Sequence, residues 1–504
     1  MSRIFPFLAA IGAGGSLYAA FPPVGFWAFA LLGIALFVSA LDGRSLWGSF
    51  GLGLLTGATF FIPLFDWAAT ASGVLIAQIA LGITEALFIA VLAVLWHELM
   101  RVSAIKANVY LKALSFGVTW AAIEQLRSAI PFGGMPWGIL GFSQVGGPLV
   151  RLAPWGSTAL VGAVVVVIGV LVEYAIRKSL TGHLIHASIA GGSAIALGVM
   201  TAFLPLPTQA DSYITVGFAQ GIVPRAGELP AGVSQALTVT QNLADATSPI
   251  ASGQVDLMVW PESASDRDPR TDPEAAAIVG EVAGRLGVPL VLGTQEFYDD
   301  YRYNNVLVWQ PDGSITGMYA KQHPVPFGEY MPMREFFRMF TTAVDQVVVD
   351  MRAGSEPAVL RVETPQGSVI LATPICFEVA VTAVVAEAVN GGAQLIVVPT
   401  NNSSFGDTAE SRQQFDMTRF RAVETGRTAI QVSTVGVSGI VEPNGVVRMH
   451  TDPWVEAYGV ARVGLRSDLT FATRFSGAIE IAVYAAGGIL TALALAQRLT
   501  KGRR

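Results

Sequence analysis

Three residues in the second half of the chain have the types and positions that nucleophilic attack on a carbonyl would require. Cys376 ends a strand-like run that begins at Val369, and Glu262 ends a hydrophobic run that begins at Leu257. Lys321 precedes a loop rich in Pro and Gly. A nucleophilic thiol needs a base to take its proton and a positive charge to stabilise the oxyanion that its attack creates. The three residues therefore predict a site in which Glu262 deprotonates Cys376, the thiolate attacks a carbonyl and Lys321 stabilises the oxyanion.

Each of these residues also has an ordinary structural interpretation. A lone Cys is often inert packing, a carboxylate at a strand end can begin a helix, and an isolated Lys is usually a solvated surface residue. Other ways to activate a nucleophile have less support, because the sequence contains no Gly-x-Ser-x-Gly, Walker or His-Glu-x-x-His motif. Among the histidines, only His323 is near the three residues, in the same loop as Lys321.

The composition is typical of a membrane protein rather than a soluble enzyme. Of the 504 residues, 52% are hydrophobic and only 13% are charged, and the mean hydropathy is +0.53. The net charge of −6 argues against nucleic acid as a partner, which would require a basic surface. The single Cys excludes a disulfide within the chain and a Cys-rich zinc site. The sequence shows no cluster of metal ligands, so we expect no metal and no other cofactor.

The most hydrophobic segments lie at the two ends of the chain. A helix that spans a bilayer needs roughly 20 mostly apolar residues, and several segments approach that length. They lie near 4–21, 24–41, 47–65, 72–96, 109–127, 157–176, 184–205 and 476–497. We therefore predict a transmembrane domain over 1–206 with about seven helices, a soluble catalytic domain over 207–472, and a final helix with a basic tail over 473–504.

The positive charges in the short loops predict how the chain crosses the membrane. One side has Arg3, Arg44, Arg101, Lys106, Lys112, Arg177 and Lys178, joined by Arg498, Lys501, Arg503 and Arg504 if the last helix also spans. The other side has only Arg127 and Arg151. Lys and Arg are enriched in cytoplasmic loops. Both termini are therefore expected in the cytoplasm, and the catalytic domain outside it.

The segment near 124–150, between the fifth and sixth predicted spans, has an unusual composition. It includes a run rich in Pro and Gly from Pro131 to Trp137. Pro and Gly interrupt helices, whereas aromatic residues prefer the membrane interface. The segment is therefore either an interfacial loop or an arm that helps to seat a lipid. Glu124 and Arg127 are three residues apart, so they could pair on one helix face.

Between 213 and 465, short β-branched runs alternate with helical stretches, which indicates a mixed α/β domain. The predicted strands are 213–219, 257–260, 290–292, 305–310, 369–372, 395–398, 429–433 and 438–442. The predicted helices are 272–286, 378–390 and 409–425. Asp312-Gly313 and Asn444-Gly445 predict hairpin turns.

The order and spacing of Glu262, Lys321 and Cys376 resemble the nitrilase superfamily. The fuller pattern resembles its membrane branch, the apolipoprotein N-acyltransferase family, over essentially the whole chain. The matching stretches are Trp260-Pro-Glu262, Lys321 with Pro326-Phe-Gly-Glu-Tyr330, Ile375-Cys-Phe-Glu378, Thr400-Asn-Asn-Ser-Ser-Phe-Gly406 and Pro131-Phe-Gly-Gly-Met-Pro-Trp137. The chain departs from the family pattern at Phe377, often a Tyr, at Asn402 and Ser404, usually Asp and an aromatic, and near Glu228 and Leu229, where a Trp is expected.

The resemblance implies a multi-pass α-helical membrane domain joined to a nitrilase-type αββα sandwich. It gives Glu262 the role of general base, Lys321 that of oxyanion stabiliser and Cys376 that of acyl-accepting nucleophile. The residues implied to support them are Glu329, Glu378 and Phe377. The candidate substrate contacts are Trp260, Tyr330, Asn401, Asn402, Phe405 and Trp137.

The resemblance also implies a two-step (ping-pong) reaction in a bacterial cytoplasmic (inner) membrane. A phospholipid donates an acyl chain to Cys376, and the diacylglyceryl-cysteine α-amine of an apolipoprotein then accepts it. We expect the protein to act as a monomer. Two alternatives remain open. One is a membrane-tethered amidase or nitrilase that hydrolyses small amides, and the other is a non-catalytic protein that binds lipoproteins.

Overall fold

The computed structural model describes residues 3–224 and 235–501 and divides the chain into two compact units. Unit 1 is Met1–Pro205 with Phe475–Arg504, and unit 2 is Leu206–Arg474. Glu228, Leu229, Arg503 and Arg504, which the sequence analysis singled out, lie outside the described residues.

Unit 1 is built from helices. Its helices before unit 2 are α1 (Phe5–Ala19), α2 (Ala28–Leu41), α3 (Leu46–Leu64), α4 (Asp66–Ser72), α5 (Leu75–Leu99), α6 (Ser103–Ala107), α7 (Val109–Arg127), α8 (Ala153–Leu180) and α9 (Leu184–Ala202). Within the described residues, five helices are long and apolar enough to cross a membrane: Leu46–Leu64, Leu75–Leu99, Pro148–Leu180, Leu184–Ala202 and Ser476–Arg498. α1 and α2 are shorter apolar helices, and α7 lies at the remaining predicted span. The chain therefore has a helical membrane domain, whereas the number of spans stays a prediction.

Arg127, at the end of α7, holds the segment that follows it. Its Nη1 lies 3.1 Å from the Glu85 carboxylate on α5 and donates to the carbonyl oxygens of Met135, at 3.0 Å, and Trp137, at 2.7 Å. The ion pair of Arg127 is therefore with Glu85 on α5, rather than with Glu124 as the spacing allowed. Glu124 accepts a backbone N–H from the same segment at 2.9 Å.

Unit 2 contains two β-sheets. Its strands are β1 (Ser212–Gln220), β2 (Leu257–Val259), β3 (Leu290–Phe297), β4 (Tyr301–Trp309), β5 (Ile315–Ala320), β6 (Asp350–Met351), β7 (Val359–Thr364), β8 (Gly367–Ala372), β9 (Leu395–Thr400), β10 (Ala429–Ser433), β11 (Gly439–Val441), β12 (Val447–His450) and β13 (Ala457–Leu465). The first sheet has the order β13-β1-β2-β3-β4-β5, with β6 paired to β4, and the second has the order β12-β11-β10-β9-β8-β7.

Helices cover both sheets and complete a four-layer αββα sandwich. The covering helices are α10 (Gln235–Thr247), α11 (Pro273–Leu286), α13 (Thr382–Asn390) and α14 (Glu410–Thr425), and two short helices, α12 (Arg334–Arg338) and α15 (Phe471–Arg474), complete unit 2. α10 and α11 pack on the first sheet, and α13 and α14 pack on the second. The chain then re-enters unit 1 as α16 (Ser476–Lys501).

Local sequence explains several element boundaries. Asp272 begins α11 by accepting the N–H groups of Glu274 and Ala275, and Gly287 ends it with a left-handed backbone. The two predicted hairpin turns are confirmed, since they join β4 to β5 and β11 to β12 in antiparallel pairs. The predicted helix over 378–390 is wrong at its start, because Cys376–Ala380 forms a separate 3-10 turn before α13.

The sheet topology brings several strand ends to one region. β2 is parallel to β1 and β3, and β9 is parallel to β8 and β10. In parallel strands, the carboxyl ends share one edge of the sheet, where α/β proteins place their sites. Glu262 follows β2, Cys376 follows β8 and Asn401 follows β9, while Lys321 comes directly after β5.

Candidate active site

The structure brings Glu262, Lys321 and Cys376 together in one buried cluster. Lys321 Nζ lies 3.6 Å from Glu262 Oε1, and the charges of Glu262 and Lys321 both act on the Cys376 thiol. Glu262 is 4% exposed, Lys321 is 1% exposed and Cys376 is 9% exposed. The arrangement places a carboxylate and an ammonium near a thiol, and all three side chains are buried.

Glu262 is held by hydrogen bonds to both of its carboxylate oxygens. The Asn304 side-chain amide donates to Oε1 at 2.5 Å, and the Asn401 backbone N–H donates to Oε2 at 2.8 Å. Gly293 packs against this turn so closely that a Cβ there would lie 2.6 Å from Glu262 Cα. Burial raises the pKa of Glu262, while the nearby Lys321 ammonium and the Asn304 amide oppose that rise.

Lys321 is paired with a second carboxylate. Its Nζ lies 2.7 Å from Glu329 Oε1, and the other oxygen of Glu329 accepts the Val325 backbone N–H at 2.7 Å. Burial alone would lower the pKa of Lys321, but the carboxylates of Glu329 and Glu262 outweigh burial and raise it. Lys321 therefore stays an ammonium at any physiological pH.

Cys376 is the first residue of the 3-10 turn and has a left-handed backbone with φ = 53°. Few residues other than Gly adopt this conformation, and such strain is concentrated at functional sites. Thr400 Oγ1 lies 3.4 Å from the Cys376 sulfur, and Gln414 Nε2 donates to that sulfur at 3.3 Å. Burial and the adjacent Glu262 charge raise the pKa of Cys376, so the resting group is a thiol that requires a base.

Glu378, two residues after Cys376, joins the turn after β8 to the loop after β5. Its fully buried carboxylate accepts hydrogen bonds from the hydroxyl of Tyr319 and the backbone N–H groups of Gln322, His323 and Ile375. Burial raises the pKa of Glu378, and these donors counteract the rise. The carboxylate therefore ties the loop that carries Lys321 to the turn that carries Cys376.

A buried arginine on α14 fixes the end of the same turn. Arg421 donates from Nε to the Val379 carbonyl and from Nη2 to the Ala380 carbonyl, both at 2.8 Å. Its Nη1 lies 2.6 Å from Glu424 Oε2. The turn that begins at Cys376 is thus anchored at its last carbonyl groups by one side chain.

Two tryptophans that were expected to contact substrate are buried elsewhere. The Trp260 ring lies in the core between α10, α11 and the first sheet, and its indole N–H donates to Thr247 at 3.0 Å. Trp137 is buried in unit 1, where its ring is 5.6 Å from that of Trp67. Neither has an exposed face for a substrate, so both substrate-contact predictions are corrected.

The other expected substrate contacts differ in exposure. Tyr330, Asn401 and Phe405 are half-buried, whereas Asn402 is buried and hydrogen-bonded to protein groups. Asn402 and Phe405 also line a cavity of about 250 Å³, which Trp454 borders as well. Phe377 is buried directly after Cys376.

Several residues that surround the cluster were missed by sequence reasoning. They are Asn304, Tyr319, Thr400, Glu410, Gln414 and Arg421. For the last three there was a signal, because Glu410, Gln414 and Arg421 are spaced to share one face of a helix. Among the residues that the structure describes, no group of three or more His, Cys, Asp or Glu side chains is arranged to hold a metal ion.

Comparison with known proteins places both units in one family. The profile of the apolipoprotein N-acyltransferase N-terminal domain matches residues 13–171, and that of carbon-nitrogen hydrolases matches residues 215–467. The apolipoprotein N-acyltransferase of Mycolicibacterium smegmatis is 31% identical over 98% of this chain and 86% of its own length. The enzyme of the same name from Pseudomonas aeruginosa is 30% identical over 87% of this chain and 86% of its own length.

Among solved structures, an amidase of the nitrilase superfamily from Nesterenkonia AN1 is 17% identical, with a TM-score of 0.40 over 55% of this chain and 98% of its own. The two profiles match successive parts of the chain, and the relatives match across both parts. The chain therefore belongs to the apolipoprotein N-acyltransferase family, within the nitrilase superfamily.

Proposed function

We propose that the enzyme transfers a fatty acyl chain from a phospholipid to the N-terminal α-amine of the diacylglyceryl-cysteine of a lipoprotein, through a thioester on Cys376. Membership of the family makes the protein a membrane N-acyltransferase of lipoproteins and removes the non-catalytic alternative. The observation that carries the intermediate is the buried cluster of a thiol, a carboxylate and an ammonium. The long apolar helices of unit 1 support a donor that is itself a lipid.

In the first half-reaction, Glu262 takes the proton of Cys376, and the sulfur attacks the acyl ester carbonyl of the phospholipid. Lys321 stabilises the negative oxygen that forms. The ester C–O bond then breaks, and Glu262 returns the proton to the departing lysophospholipid oxygen. The raised pKa of Cys376 supports the need for this adjacent base.

In the second half-reaction, the lipoprotein amine attacks the thioester carbonyl and forms an amide bond. Glu262 accepts the proton that the amine loses, and Lys321 again stabilises the oxyanion. The C–S bond breaks, and the proton on Glu262 passes to the Cys376 sulfur. One base can serve both steps because it is restored at the end of each.

Three carboxylates divide the work in this proposal. Glu262 exchanges protons, Glu329 holds Lys321 as an ammonium, and Glu378 fixes the spacing of the two loops. For the substrate contacts we propose the half-buried Tyr330 and Phe405. These side chains offer apolar surface to an acyl chain.

We propose that the catalytic unit lies outside the cytoplasm, at a bacterial inner membrane, with both termini inside and with one chain forming a complete site. The distribution of Lys and Arg among the short loops supports this orientation. A reporter enzyme that is active only outside the cytoplasm tests it. The reporter should be active when inserted in an exposed loop of unit 2 and inactive when fused after residue 504. Activity at the C-terminal fusion would contradict the orientation.

Intact-mass measurement of the full chain in detergent tests the thioester. After incubation with phosphatidylglycerol, we expect an added fatty-acyl mass that hydroxylamine removes and that a diacylated lipopeptide collects. Cys376→Ala should show no such mass. Acyl mass that persists in Cys376→Ala would contradict the assignment. Turnover of a small amide with no need for phospholipid would favour the amidase alternative.

A further inference from the structure

We propose that Gln414 stabilises the thiolate of Cys376, and that Asn402 and Glu410 are positioning residues that turn the Gln414 amide towards the sulfur. The inference rests on the proposed function only in taking Cys376 as the nucleophile. Gln414 Nε2 donates to Cys376 Sγ at 3.3 Å. The argument depends on which end of each amide faces which neighbour.

The direction of this hydrogen-bond chain is set by a backbone N–H, which can only donate. The Gly436 N–H donates to Ser433 Oγ at 2.8 Å, so the Ser433 hydroxyl is free to donate onwards. It donates to Asn402 Oδ1 at 2.6 Å. A Cβ at Gly436 would lie 2.3 Å from the same Asn402 oxygen, so only glycine allows this approach.

With its oxygen committed to Ser433, Asn402 presents its two N–H groups to the other side. One donates to Glu410 Oε2 at 2.7 Å and the other to Gln414 Oε1 at 3.0 Å. The oxygen of Glu410 is therefore the acceptor that holds Asn402 in this orientation. Glu410 is buried, and it takes no part in either half-reaction.

Two donors fix the oxygen end of Gln414. Asn402 is one, and the Thr400 hydroxyl, 2.8 Å from Gln414 Oε1, is the other. A Gln amide whose oxygen receives two donors must turn its N–H groups the opposite way. The Cys376 sulfur lies on the side to which these N–H groups point.

The N–H of Gln414 would matter most when the sulfur carries negative charge. That happens when Glu262 removes the thiol proton, and again when the C–S bond of the thioester breaks. Hydrogen bonds to charged groups are roughly twice as strong as those between neutral groups. Gln414 therefore lowers the cost of the thiolate in both half-reactions, without exchanging a proton itself.

The charged groups that face Cys376 come from every side of the cluster. The charges of Glu262 and Glu410 oppose the thiolate, whereas the charge of Lys321 favours it. Glu329 bonds to Lys321 and Glu378 bonds to the Ile375 N–H, so these two carboxylates lie one step further from the sulfur. Burial raises the pKa of Glu410 to about 8. Whether neutral or ionised, its carboxyl keeps an oxygen that can accept from Asn402.

Alkylation by iodoacetamide tests the proposal without any lipid substrate. Because the chain has one cysteine, the pH dependence of alkylation of the full-length protein reports only on Cys376. In Gln414→Met we expect the midpoint to rise by about one pH unit, equivalent to about tenfold less thiolate at a given pH. Gln431→Met is the matched control, since Gln431 is also buried but donates to Val437 instead.

Variants of Glu410 separate positioning from charge. Glu410→Met and Glu410→Gln both remove the charge that opposes the thiolate, but only Glu410→Gln keeps an oxygen that can accept from Asn402. The alkylation midpoint of Glu410→Met should therefore be higher than that of Glu410→Gln. Because Glu410 acts through Gln414, the double variant should shift no further than Gln414→Met alone.

Three results would overturn the inference. They are an unchanged midpoint in Gln414→Met, additive shifts in the double variant, and a shift in Glu410→Gln as large as in Glu410→Met. If Gln414→Met does not fold, Gln414→Glu preserves the shape and should raise the midpoint as well, and an unchanged value there would refute the proposal equally. If the alkylation midpoints shift as expected but the wild-type protein transfers no acyl chain, the result would count against the proposed function alone.

Discussion

The hydroxyl of Tyr319 lies 2.9 Å from both carboxylate oxygens of Glu378. Tyr319 is two residues before Lys321, and Glu378 is two residues after Cys376. The contact therefore joins the two segments of chain that carry the ammonium and the thiol. Removing this contact should slow catalysis because it changes the distance between Lys321 and Cys376, since neither Tyr319 nor Glu378 exchanges a proton in the proposed reaction.

Tyr319→Phe should lower kcat about tenfold, and Glu378→Gln should lower it more. Phe removes one of several donors to Glu378, whereas Gln turns an N–H group against backbone donors that need an acceptor. Steady-state acyl transfer to a diacylated lipopeptide measures both. Tyr458→Phe serves as the control, because Tyr458 is exposed on β13. A normal kcat in Glu378→Gln would contradict the coupling of the two segments.

Asn304→Leu should move the acid limb of the pH–rate profile to higher pH by about one unit. Asn304 donates to the Glu262 carboxylate and so favours its charged form, which lowers the pKa of Glu262. Without that donor, Glu262 keeps its proton to a higher pH, and a protonated base cannot act. The pH dependence of kcat/KM measures the shift.

Asn305→Leu is the control for Asn304→Leu. Asn305 is also buried, but its amide donates to Glu296 instead. Its replacement should leave the acid limb in place even where it lowers stability. Equal shifts in both variants would show that the limb does not report on Glu262.

The stability of unit 2 should fall as the pH rises from about 4.5 to about 8, and Glu410 should cause part of that fall. Burial raises the pKa of Glu410 from 4.5 to about 8, so in this window the folded state keeps a proton that the unfolded state has lost. The unfolded state then binds fewer protons, and the free energy of unfolding decreases with pH. Thermal unfolding of the wild type and of Glu410→Gln, at about pH 5 and about pH 9, measures the difference. Parallel pH dependence in the two proteins would contradict it.

Arg421→Met should destabilise unit 2 by about 3–5 kcal/mol, because it leaves the buried carboxylate of Glu424 without its partner. It also releases two carbonyl groups of the turn that begins at Cys376. Denaturant unfolding measures the loss, and acyl transfer at low temperature measures the effect on the turn. Arg448→Met is the control, because its exposed pair with Glu442 should contribute less than about 1 kcal/mol.

In unit 1, Arg127→Met should lower the melting temperature more than the double variant with Glu85→Met does. The single change leaves one buried charge of a pair that is 3.1 Å apart, whereas the double change removes both charges. A double-mutant cycle by thermal unfolding in detergent measures the coupling. Additive effects would mean that the guanidinium acts mainly through its bonds to Met135 and Trp137.

The clearest sequence signal for the residues of the buried cluster was a hydrophobic strand that ends at a polar side chain, as at Glu262 and Cys376. β13 was missed because its two glycines weaken the strand signal, although its side chains alternate between buried and more exposed. β5 was missed because most of its side chains are exposed or half-buried at the edge of the first sheet. Patterns of burial thus predicted the central strands better than the edge strands.

The partners of the cluster could not be read from the sequence for a different reason. The contact of Gln414 with the Cys376 sulfur depends on how α14 packs on the second sheet, which no local pattern specifies. Trp260 illustrates the converse error. It is two residues from Glu262, but its side chain enters the core beneath α10, which its position in a familiar motif does not reveal.

The left-handed backbone of Cys376 has a thermal consequence. Ordinary side chains pay for this conformation with about 1–2 kcal/mol, so it persists only while its surroundings enforce it. Here the enforcement comes from Glu378 on one side of the thiol and from Arg421 through the carbonyl groups on the other. Moderate heating should loosen these bonds first, and the thiol would then relax away from its base. Heat inactivation of this enzyme should therefore begin as a local, reversible event, at temperatures where most of the protein is still folded.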